Sequence, residues 1–124
     1  MKLIAVVLAA ALASSAAFAQ HKHSSKGPNG GTMEDVAGVH AELITSGSTV
    51  TFNVLDEDSK PIKAAGYSGS VLIVSGSERE TVQLAQAGDS ALKGEAKKPI
   101  AKGSSITLML KTDKGKSGQA RFTQ

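Results

Sequence analysis

Apolar side chains recur at every second position in several short stretches of this chain, and that period is what most restricts its fold. Val39, Ala41 and Leu43 alternate with His40 and Glu42, Val50, Phe52 and Val54 with Thr51 and Asn53, and Ile106, Leu108 and Leu110 with Thr107, Met109 and Lys111. A period of two sends alternate side chains to opposite faces of a β-strand, so each stretch reads as a strand with one buried face, and His40 and Glu42 are expected to face away from the core together. Val71 to Val74 is continuously apolar and rich in β-branched residues, which predicts a strand placed centrally. Shorter candidates are Thr32 to Val36, Thr81 to Ala85, Ala91 to Ala96 and Gln119 to Thr123. Ala37-Gly38, Ser46-Gly47-Ser48 and Asp113-Lys114-Gly115 supply turns between neighbours. No helical pattern of useful length follows residue 19, so the expectation is an all-β domain: one immunoglobulin-like β-sandwich of about seven short strands, with a small barrel as the alternative.

The domain is expected to begin only after two other segments. Lys2, the apolar run Leu3 to Leu12 and the small residues Ala17 and Ala19 have the three parts of a secretory signal peptide, which assigns residues 1–19 to a leader cut before Gln20. Residues 20–31 carry no apolar side chain and read as a flexible arm rich in His and Gly, which leaves 32–124 as the β domain. The expected product is periplasmic or secreted, with no membrane span in the mature chain and no cysteine for a disulfide. A formal charge of +3 with lysines and acids intermixed, and only Phe52, Tyr67 and Phe122 as aromatics beyond the leader, exclude a nucleic-acid surface. No nucleophile elbow, cysteine or facing carboxylate pair suggests catalysis, so the chain is read as not an enzyme.

The residues suited to chemistry gather at one end. His21, His23 and His40 are all the histidines of the chain. Imidazole suits copper, nickel or zinc, and His40 with Glu42 at i and i+2 could approach one ion from a single strand face. Two donors bind weakly, so the site would need His21 or His23 from the arm, or Met33, Glu34 or Asp35 from the adjacent strand. The competing readings are a solvated polar arm and an exposed His40–Glu42 pair that aids solubility. Gly27-Pro28-Asn29-Gly30-Gly31 predicts a defined turn; it lacks the Lys-Ser/Thr of a phosphate loop.

Gly27-Pro-Asn-Gly-Gly-Thr, Val39-His-Ala-Glu-Leu, and Val50-x-Phe-x-Val-Leu-Asp followed by Lys60-Pro61 together resemble a family of small secreted bacterial β-sandwich proteins and the β domain of periplasmic adaptor subunits of heavy-metal efflux pumps. The similarity runs from His21 to Ile62, with Asn29 where such sequences often carry His before Gly-Gly. The resemblance implies an envelope protein with a metal-linked role, centred on His40 and Glu42 and extended to His23. Two functions follow as expectations. One is a periplasmic binder of a transition-metal ion, acting as carrier, buffer or resistance accessory. The other is a non-catalytic interaction module that meets an envelope or efflux protein through an exposed strand edge or loop, a reading motivated by Leu72 and Val74, whose alternation puts apolar surface on the outer face.

Overall fold

The computed structural model describes residues 25–124, and these are all-β, with no helix. The leader assigned to 1–19 and the histidines His21 and His23 lie outside the described residues. Nine strands follow in order: β1 (Ser25–Lys26), β2 (Thr32–Val36), β3 (Val39–Ser46), β4 (Thr49–Leu55), β5 (Ser68–Ser75), β6 (Glu78–Gln86), β7 (Ala91–Glu95), β8 (Ser105–Lys111) and β9 (Ser117–Thr123). Where about seven were expected, the structure has nine, including the two-residue β1. That strand falls in the stretch read as a flexible arm, of which residues 25 to 31 form β1 and the turn that pairs it with β2. Backbone hydrogen bonds, which the side-chain pattern does not reveal, order them.

All the strands join one antiparallel sheet in the order β1-β2-β3-β4-β7-β6-β5-β8-β9. The meander β5–β6–β7 is bracketed by β4 beside β7 and β8 beside β5, which makes two overlapping Greek keys. The sheet curls because β6 is shared at a corner: Glu78 to Leu84 pair with β5, whereas Ala85 and Gln86 pair with β7. Gly94 of β7 sits inside that corner, where a Cβ would come 2.6 Å from Val82 Cγ1 and 2.9 Å from the Gln83 carbonyl oxygen, so only glycine lets the strands close. The curl brings β2 and β9 together, and Gly118 of β9 lies against Ala37 of the β2–β3 turn.

The enclosed face holds the core. Val36, Ala41, Leu43, Val50, Phe52 and Val54 from one half meet Val71, Ile73, Val82, Leu84, Ile106, Leu108, Leu110 and Phe122 from the other. Phe52 and Phe122 pack across the centre with ring centroids 5.3 Å apart and planes tilted by 59°. The strand expected to be central, β5, is paired on both sides, but its apolar run still alternates: Val71 and Ile73 are buried and Leu72 and Val74 half-buried on the outer face.

Three connections share one geometry, in which the first residue accepts from the fourth and donates to the fifth: 27 to 31, 56 to 60 and 112 to 116. Each is a turn with its fourth residue in the left-handed region, at Gly30, Ser59 and Gly115. In the second, Asp56 Oδ1 also accepts from the Asp58 and Lys60 amides at 2.9 and 3.0 Å, stapling its own loop.

Candidate functional site

The outer face of β2-β3-β4 carries the residues singled out in the sequence. The two-residue turn at Ala37-Gly38 sets Val36 opposite Val39, which fixes Asp35 opposite His40 and Met33 opposite Glu42; on the other side Glu42 faces Asn53 and His40 faces Leu55. His40 and Glu42 therefore share a face, as expected. They do not share an environment.

Glu42 faces away from the core and is nevertheless completely buried, so the competing reading of an exposed pair does not hold for it. The turn after β1 folds over it. Oε2 accepts from the Asn29 and Gly31 backbone amides at 2.8 and 3.0 Å, while Oε1 accepts from Asn29 Nδ2 at 2.8 Å and, at a long 3.5 Å, from Asn53 Nδ2. Each oxygen thus has two donors, which offset its removal from water. Met33 and Leu55 are buried beside this row yet belong to no part of the enclosed core, so the turn and the loop bridging Leu55 to Pro61 cover a second, shallow layer.

The glycines of the turn are needed for separate reasons. Gly30 has φ +83° with open space around it. A Cβ on Gly27 would lie 2.5 Å from Glu42 Oε2 and 2.7 Å from its Cγ. A Cβ on Gly31 would overlap the Leu43 carbonyl oxygen and come 2.7 Å from Ile44 Cδ1. The Pro-Asn-Gly-Gly motif is thereby read as a lid on Glu42, with Asn29 supplying both a backbone and a side-chain donor.

His40 is placed differently. Its Nδ1 pairs with Asp35 Oδ1 across the β2–β3 ladder, and its side chain keeps 23% of its surface exposed against 76% for Asp35. A carboxylate on Nδ1 favours the tautomer that carries the proton there and leaves the lone pair on Nε2. That is the arrangement in which histidine ligates a metal, with the carboxylate fixing the ring. Of the adjacent-strand donors considered in the sequence, Asp35 is the one brought to His40, and the two-residue turn that pairs them was the readable signal. Asn29 and Asn53, as partners of Glu42, were not foreseen. Among the described residues, no group of three or more His, Asp or Glu side chains converges in a way that could hold an ion, and no helix is long and apolar enough to cross a membrane.

No protein-family model matches the chain, and no curated protein or solved structure matches it in sequence or fold.

Proposed function

We propose that the protein is exported and binds a transition-metal ion, copper, zinc or nickel, without catalysing a reaction, serving as a carrier, buffer or resistance accessory. The observation that carries this reading is the Asp35–His40 pair, which holds an imidazole with Nε2 available at the edge of the sheet next to β1. His40 is the scaffold ligand and Asp35 its orienting carboxylate. Glu42, saturated by its donors, is assigned to holding the turn and with it β1, rather than to the ion.

His21 and His23 complete the donor set in this reading. Ser25 lies opposite Met33, and Asp35 is two residues beyond Met33 on β2. Two extended residues span roughly 7 Å, so the step along β2 from the level of Ser25 to that of Asp35 and His40 is one that a donor two residues before Ser25 has the length to cover. The anchored turn sets the start of that reach. We further read the curled sheet as an immunoglobulin-like sandwich, a reading supported by the overlapping Greek keys.

The test is calorimetric titration of the exported form with Cu(II), Ni(II) and Zn(II) at neutral pH, alongside His40→Ala, Asp35→Asn, Glu42→Gln and the double variant His21→Ala with His23→Ala. Both histidine variants are expected to weaken binding at least tenfold, and Asp35→Asn to weaken it less. Binding should also weaken on acidification, because protons compete with the metal for imidazole nitrogen. Unchanged affinity in His40→Ala would remove the scaffold site. A second reading, an interaction module of the envelope, is favoured by a different observation, the outer face that carries Leu72 and Val74.

A further inference from the structure

The other half of the sheet, β6-β5-β8-β9, turns an outer face to solvent on which no outward position is Asp or Glu. In a chain with 11 acidic residues that segregation is marked, because the outer face of β2-β3-β4-β7 carries Asp35, Glu42 and Glu95. The carboxylate-free face presents three cations instead: Arg79, Arg121 and Lys111. Arg79 and Arg121 are the only arginines of the chain, and both line one groove of about 430 Å³. Leu72 and Val74 also line it, and Met109, 41% exposed, lies on the same face.

The arginines are set apart. Arg79 is the cross-strand partner of Val74, one strand from β5, whereas Arg121 stands opposite Thr107 on β9, two strands away on the other side. With about 4.8 Å between strands and two residues of offset along them, their Cα positions are on the order of 15 Å apart. Arg121 Nε donates to Ser105 Oγ at 2.9 Å, which fixes the guanidinium over the face and leaves its outer nitrogens free to form a fork. Neither arginine has a carboxylate partner among the described residues. A floor of Leu72 and Val74 between two cations matches a ligand with separated carboxylates and apolar groups between them. A single small anion would fill one end only, and the absence of aromatic side chains disfavours a glycan or a lipid surface.

We propose that this face docks an acidic segment of another protein, a peptide whose carboxylates pair with Arg79 and Arg121 while apolar side chains between them cover Leu72 and Val74. It uses the half of the sheet that does not carry His40, so it stands or falls apart from the metal reading.

The experiment follows amide shifts of the 15N-labelled protein with the short synthetic peptide Glu-Ser-Leu-Ser-Glu as the probe, in which both Glu and the Leu between them share one face when the peptide is extended, beside the same peptide with Gln for Glu. The Glu peptide is expected to shift amides of β5, β8 and β9, to lose affinity as salt rises, and to bind at least tenfold more weakly to the double variant Arg79→Ala with Arg121→Ala. Both arginines are exposed, so the variant should fold; Thr107→Glu, which adds a carboxylate between them, should weaken binding without removing either. Equal binding of the two peptides, shifts mapping elsewhere, or full affinity in the double variant would overturn the proposal. So would the same arginine dependence with phosphatidylglycerol vesicles or inorganic phosphate in place of the peptide, which would assign the face to a lipid surface or a small anion.

Discussion

Replacing Gly27, Gly30 and Gly31 one at a time by alanine should give three different results from one turn. At Gly30 the new methyl meets nothing within 4 Å, and the cost is that of holding a non-glycine residue at φ +83°, roughly 1–2 kcal/mol. At Gly31 the methyl meets the Leu43 carbonyl oxygen, a backbone atom of β3 on its β2 side that cannot move without shifting the core side chain of Leu43. The turn must lift instead, and lifting it removes the three bonds to Glu42 of 3.0 Å or less. At about 1.5 kcal/mol for each bond to a charged acceptor, the loss approaches ~4–5 kcal/mol. It is capped by the free energy of releasing residues 25 to 31 alone, because Glu42 regains water once the turn is gone. Gly27→Ala falls between them, since the atoms it meets belong to a side chain that can shift slightly. Hydrogen exchange at the Asn29 and Gly31 amides, read beside thermal unfolding, separates local release from global loss. If Gly31→Ala protected those amides as well as Gly30→Ala does, the lid on Glu42 would be wrong.

Other perturbations follow from the same packing. Glu42→Gln should destabilise by about 1–3 kcal/mol, because the amide nitrogen that replaces one oxygen cannot accept from the donors it faces; thermal unfolding checks it, with Asn29→Ala as the second arm of a double-mutant cycle. Gly94→Ala should cost about 1–3 kcal/mol by overpacking the β6–β7 corner, measured by urea unfolding. Ser59→Gly should stabilise by roughly 1 kcal/mol in the same assay, since Ser59 sits at φ 61° where glycine carries no strain. Tyr67, the single tyrosine in a chain without tryptophan, should ionise above its ordinary value of 10.0, chiefly because burial disfavours the phenolate and secondly because Asp113 repels it. The folded state then binds the proton more tightly than the unfolded state, so stability should fall as pH rises past 10.0; ultraviolet titration measures the midpoint, and Asp113→Asn should lower it only in part.

How much of this was legible depends on whether a residue's surroundings lie in its own strand. The alternation in β3, β4 and β8 named the inward residues, because the enclosed core reads one face of each strand and nothing else. The adjacent strand was expected to offer Met33, Glu34 or Asp35 to His40, and the register set by the two-residue turn at Ala37-Gly38 selects Asp35. The same alternation placed Glu42 outward and could say no more. Its burial comes from β1 and the turn, whose residues carry no apolar signal and are ordered by backbone bonds and by Glu42 itself. The anchor and the element it anchors are each invisible without the other. Gly27 to Gly31 and Glu42 hold one turn, and Asp56 staples the loop that leads to Lys60 and Pro61. These roles are structural. The proposed metal chemistry rests instead on His40 and Asp35, and there the metal proposal has to be tested.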